Sequence, residues 1–140
     1  MENNPGKYIS FLHRKGQIYW NHCLQDIDVS TAEYPVLIQL QRTDGISQEE
    51  LANNQGIDKS AITRVIQSLE KKNLIMREKD GKDRRCNRIF LTAKGEATRE
   101  TIERSRLGWN ERLMQSMTEE EKEVLCNLLQ KSVESMKEKS

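Results

Sequence analysis

A chain of 140 residues, with 35% hydrophobic, 32% charged and 5% aromatic side chains, has room for one cooperative domain and its core but not for two. The polar start Met1-Glu2-Asn3-Asn4, and the lack of any apolar run approaching the ~18 residues of a membrane span, argue against export or a membrane partner and for a soluble cytoplasmic protein. The net charge of +1 hides a division: residues 58–95 hold eleven Lys and Arg against five acids, while the remainder has 12 basic against 17 acidic residues, the layout of a phosphate-facing element on an acidic scaffold.

Residues 7–27 place Tyr8, Phe11, Leu12, Ile18, Tyr19, Leu24 and Ile27 close to helical spacing between polar flanks, which predicts a first amphipathic helix. Three boxes, Ser30 with Glu33, Ser47 with Glu50 and Thr118 with Glu121, mark further helix starts, since side chain and backbone can satisfy each other's orphan groups at that spacing. The second helix is expected over 31–42, burying Val36, Leu37 and Leu40 with Pro35 in its first turn. Asp44-Gly45 punctuates a turn, a short helix over 48–54 buries Leu51 and Ala52, and Gly56 supplies a tight turn. Asp58 then caps a helix with Ile62, Val65, Ile66 and Leu69 on one arc and Ser60, Thr63, Arg64, Gln67 and Lys71 on the other, with Lys59 in its first turn. Asn73 suits a left-handed position after that helix. Residues 74–79 and 88–92 read as two strands joined by the charge-dense hairpin 80–85. A long polar helix is expected over 93–116, bent near Gly108, and a last one after Thr118 carries Val124, Leu125, Leu128, Leu129, Val133 and Met136.

Helix, turn and donor-rich helix over 47–72 is an arrangement that carries side chains to base edges in the major groove, with Arg64 and Gln67 the base-reading candidates, each good bidentate pair discriminating by ~1–3 kcal/mol. By itself such a stripe equally describes a solvated helix face. The hairpin tip weighs toward DNA, because Lys82, Arg84 and Arg85 repel one another on a short turn unless an anion, such as a narrow minor groove, lies nearby; Asp83 makes the same loop readable as mixed-charge solubilising surface. Only His13 and His22 are present, without a Ser-His-Asp arrangement or a glycine-rich phosphate loop, so no enzyme and no cofactor is expected. Cys23, Cys86 and Cys126 form an odd set without CxxC spacing, which argues against disulfides and a metal site; Cys23 also lacks the cationic neighbours that activate a thiol.

Ser47-Gln-Glu-Glu-Leu-Ala, Ile57-Asp-Lys-Ser-Ala-Ile-Thr-Arg-Val-Ile-Gln-Ser-Leu-Glu-Lys-Lys-Asn-Leu-Ile, Asp83-Arg-Arg and Leu91-Thr-Ala-Lys-Gly together resemble MarR-type regulators over nearly the whole chain. The resemblance implies a mainly α fold: a winged helix-turn-helix with a two-stranded β-wing, and N- and C-terminal dimerisation helices. The expected division of the single domain 1–140 is a DNA-binding part at about 30–92 and dimerisation helices at about 5–27 and 93–138. It further implies a homodimer on a pseudo-palindromic duplex, with Lys59, Ser60, Thr63, Arg64, Gln67 and Lys71 at the major groove. Arg85 would enter the minor groove beside Lys82 and Arg84, steadied by a salt bridge from Asp83, and Phe11, Leu12, Trp109, Leu125 and Leu129 would meet the second copy. Asn73 stands where the family usually has glycine. Family members that bind small lipophilic anions make Tyr19, Trp20, His22 and Tyr34 candidates for an effector crevice, although aromatics at helical spacing are more often core. A sequence-specific repressor tuned by a ligand is the expected function; a winged-helix module that docks a protein instead is the alternative.

Overall fold

The computed structural model describes residues 3–137. Helix α1, Pro5–Cys23, starts where the Asn4 side chain accepts the Lys7 amide at 3.3 Å and Pro5 needs no amide partner. It stops short of the predicted end, because Gln25–Ile27 form a single 3-10 turn and Asp28 turns left-handed at φ 52°. Helix α2, Tyr34–Arg42, begins later than predicted, with Pro35 in its first turn. Only half of the Ser30–Glu33 box forms: Glu33 accepts the Ser30 amide at 2.8 Å, but residues 31–33 make a separate turn and the Glu33 carboxylate is drawn inward.

Helix α3, Gln48–Gln55, follows a strand that the sequence pattern did not reveal, β1, Ile46–Ser47. Helix α4, Lys59–Lys71, leads into β2, Ile75–Lys79, and β3, Asn87–Leu91. The sheet therefore has three antiparallel strands in the order β1-β3-β2, not the two expected, with Ile46 opposite Ile89 and Ile75 opposite Leu91. Two residues of β1 are too few for an alternating pattern to be visible. The junction from α4 to β2 is set by Asn73 at φ 62°: its amide reaches the Glu70 carbonyl and the Leu74 amide the Leu69 carbonyl, closing the helix while both leucines are buried.

The helix expected over 93–116 is two: α5, Ala93–Glu96, and α6, Arg99–Leu113. Thr98 divides them, its hydroxyl donating to the Gly95 carbonyl at 2.7 Å. At Gly108 α6 runs on unbroken; a side chain there would strike the Tyr19 hydroxyl, which donates to the Ser105 carbonyl at 2.9 Å, so the glycine serves close approach of α1 and α6 rather than a bend. Helix α7, Glu119–Met136, starts with both halves of the Thr118–Glu121 capping box and fully buries none of its side chains, although Leu125 is half-buried. The core is continuous from Trp20 and Leu24 of the α1 end through Val36, Leu37 and Leu40 to Leu51, Ile62, Ile66, Leu69, Leu74 and Ile89, with Ile102 of α6 joining it.

Candidate nucleic-acid interface

Ser47 caps α3 by accepting the Glu50 amide at 3.1 Å, and Gly56, at φ 67°, reverses the chain between the two helices in a conformation costly for other residues. Asp58 caps α4, accepting from the Ala61 amide at 2.7 Å and the Ser60 hydroxyl at 2.9 Å; these bonds hold its carboxyl below the usual range. Ile62, Ile66 and Leu69 fill the core, while Lys59, Ser60, Arg64, Gln67 and Lys71 face solvent. Thr63 departs from that stripe. It is half-buried, its hydroxyl donating to the Lys59 carbonyl at 2.8 Å and receiving the Gln48 side-chain amide at 3.2 Å, so its hydrogen bonds join α4 to α3. Among the described residues, Lys59, Arg64, Gln67 and Lys71 have no side-chain hydrogen bond or ion pair.

The wing is organised by two carboxylates. Asp80 accepts the Lys82 amide at 2.9 Å and pairs with Arg88 at 3.0 Å, and Arg88 also donates to the Gly45 carbonyl at 2.9 Å, tying the hairpin base to the turn before β1. Asp83 accepts the Arg85 amide at 3.1 Å and its guanidinium Nε at 3.2 Å. Those bonds, the amide's foremost, lower the Asp83 carboxyl, whereas burial and the Asp83 carboxylate push the Cys86 thiol up. Arg85 nonetheless stays 92% exposed, with Lys82 and Arg84 also in solvent and, among the described residues, without ion pairs. A cleft of about 250 Å³ is lined by Lys59 and Thr63 of α4, by Gln48 and Glu49 of α3, and by Arg85, Cys86 and Asn87 of the wing, so α4 and the wing each bring one cation to it.

The other predicted residues separate. Phe11, Leu12 and Leu129 are exposed, while Leu125 and Trp109 are half-buried, Trp109 tilted on Tyr19 at 5.5 Å and resting against Gly16. Tyr19, Trp20, His22 and Tyr34 are not brought together around a cavity in one copy: Trp20 is core, stacked on Tyr34 at 3.8 Å, Tyr19 is bonded to α6, and His22 is exposed. Neither the cleft just described nor a wider groove of about 900 Å³ along α5 and α6 is lined by any of the four. Sequence reasoning missed Arg88 and Gln48 as positioning groups and read Glu33 only as a capping residue; its spacing signalled a helix start and nothing of its burial.

A three-helix core with a basic third helix, followed by a cation-tipped hairpin, defines a winged helix-turn-helix protein. The MarR family model matches residues 29–87. A MarR transcriptional regulator from Methanosarcina mazei is similar at 35% identity and a TM-score of 0.84, over 93% of this chain and 94% of that one. The HTH-type transcriptional regulator BilQ of Clostridium symbiosum is 30% identical over 131 residues, 94% of this chain and 91% of its own. The PcaV transcriptional regulator of Streptomyces coelicolor, solved in complex with its natural ligand, shares the fold at a TM-score of 0.81 and 22% identity, over 94% and 93% of the two chains. The chain belongs to the MarR family of DNA-binding transcriptional regulators and is not an enzyme. No helix among the described residues is long and apolar enough to cross a membrane.

Proposed function

We propose that two copies of this chain bind a pseudo-palindromic duplex as a cytoplasmic repressor, with α4 of each copy in the major groove and each wing in a flanking minor groove. The observation that carries the reading is that one cleft has the unpaired Lys59 of α4 on one side and the wing's Arg85, bonded to Asp83 yet 92% exposed, on the other. Lys59, Arg64, Gln67 and Lys71 then face bases and phosphates, Ser60 lies at the capped end of α4, and Lys82, Arg84 and Arg85 follow the minor groove. Thr63 acts through its bond to Gln48 rather than by reading a base. Pairing rests on Phe11, Leu12, Leu125 and Leu129, on helices whose apolar faces lack partners within the chain, while Trp109 supports them from beneath.

Control by a small ligand is supported by likeness to PcaV; such a ligand acts by favouring a separation of the two α4 helices that does not match the operator. Selecting bound fragments from a random duplex pool, then titrating the winner against salt, tests the reading. A defined half-site repeated about one helical turn apart, and an affinity that falls linearly on a log–log salt plot, is the expected result. Salt-insensitive binding, or a strictly monomeric protein that enriches no duplex, overturns it.

A further inference from the structure

The Glu33 carboxylate is 2% exposed in the core, a position that apolar packing alone would give to a leucine, because burying a carboxylate costs more than its ion pair returns unless every lone pair is used. Here they are used. Oε1 accepts the Ser30 amide at 2.8 Å and the Lys72 ammonium at 2.7 Å, and Oε2 accepts the Ser68 hydroxyl at 2.5 Å. Burial alone would raise the Glu33 carboxyl, but these donors outweigh it and hold the group ionised, below its ordinary value. Ser68 of α4 and Lys72, the C-cap of that helix, are four residues apart, and Arg64 is four residues before Ser68. The helix that exposes Arg64 is therefore gripped at its C-terminal end by a residue outside the helix-turn-helix. Lys72 gains a second acid there, Asp28 at 3.7 Å.

The turn that carries Glu33 is held from its other side by α1. Gln17 donates to the Thr31 hydroxyl at 3.2 Å, and the Trp20 ring lies flat on Tyr34, 3.8 Å between centroids at 11°. We propose that Glu33 is a positioning residue for DNA recognition: through the turn 30–34 it fixes the C-terminal end of α4 to α1, so that the angle of the base-reading face follows the position of the N-terminal helix. A hydrophobic contact tolerates sliding and rotation, whereas a carboxylate bonded to a backbone amide, a hydroxyl and an ammonium defines one orientation.

This rests on the DNA-binding reading above, and the test separates the two. Full-length wild type first selects a duplex from a random pool; Glu33→Gln and Ser68→Ala, confirmed folded by circular dichroism and assayed well below their melting points, are then titrated with the selected duplex and with a scrambled one. Glu33→Gln is expected to lose about tenfold in affinity for the selected duplex, the size typical of residues that modulate coupling without touching ligand. Its affinity for scrambled DNA, which needs cations but no fixed angle, should change less than about twofold. Ser68→Ala, which keeps the ion pair, should show a smaller loss in the same ratio, and both should speed amide exchange at residues 68–72. If both folded variants keep the wild-type ratio of selected to scrambled affinity, or lose both affinities equally, the positioning role is wrong while the DNA-binding reading stands. If wild type selects nothing, both fall together.

Discussion

Between residues 46 and 91 the large apolar side chains are buried or half-buried, Ile57 and Met76 excepted, while Lys59, Arg64, Lys71, Lys82 and Arg84 stand without ion pairs among the described residues. Along α6 and α7 the pattern is reversed. Arg99 pairs with Glu96, Arg106 with Glu103, Lys122 with Glu119 and Lys137 with Glu134, each one turn away, yet Leu107, Val124, Leu128, Leu129, Val133 and Met136 face water. One region packs most of its apolar side chains and leaves several cations unpaired; the other pairs several of its cations locally and leaves much of its apolar face uncovered. A polyanion suits the first, and a second apolar surface suits the second.

The comparison breaks most readily at α7. Leu129→Arg places a charge in the face proposed to meet the second copy, and an interface centre that loses a buried leucine for an unpaired cation typically costs 2 kcal/mol or more, about thirtyfold in the dimer dissociation constant. Sedimentation should show monomer at concentrations where wild type is paired, with circular dichroism unchanged because Leu129 is exposed within its own chain. A wild-type sedimentation profile would mean that the exposed leucines are not the interface.

Gly95 gives the next largest effect. A methyl group there would collide with the Leu74 backbone carbonyl, which anchors the start of the wing, so Gly95→Ala should destabilise by about 1–3 kcal/mol, the range for overpacked sites, read from urea unfolding. Gly81→Ala, with open space around it at the hairpin, should stay within about 0.5 kcal/mol of wild type. On the charged side, Gln67→Ala should cost about 1–3 kcal/mol of discrimination at one base position, whereas Arg85→Ala should weaken every sequence and lower the salt slope by about one. Equal losses on cognate and random DNA for both variants would erase the distinction between reading helix and gripping wing.

Much of this was legible because it is written locally. Asp58, Gly56, Asn73 and the Thr118–Glu121 box act within a few residues of themselves, and each occupies the backbone role its chemistry predicts. The basic wing was legible for the same reason, since its charges lie close in sequence. What escaped depends on distant partners: β1 exists only because Ile46 pairs with Ile89, Thr63 leaves the exposed stripe because Gln48 claims it, and Gly108 is explained by Tyr19 rather than by helix flexibility. The four residues expected to line an effector crevice illustrate the same limit, as their helical spacing could not distinguish a cavity wall from the Trp20–Tyr34 stack.

Glu33 gives the one prediction tied to pH. Its carboxyl sits below its ordinary value near 4.5, despite burial, because Lys72, Ser68 and the Ser30 amide favour the ionised form. A group lowered in the folded state contributes stability that is fully present above its unfolded value and disappears as pH falls through the folded one. Asp58, Asp80, Asp83, Glu96 and Glu103 are lowered too, so wild type alone cannot report on Glu33, and all six should make melting temperature fall below about pH 4.5. The informative quantity is the difference between wild type and Glu33→Gln. It should be constant from neutral pH down to about 5 and then shrink, since protonated Glu33 and glutamine are both neutral opposite Lys72 and Asp28. A difference that stays level into strong acid would mean that the Lys72 contact contributes nothing to folding, leaving the 2.7 Å approach a consequence of packing.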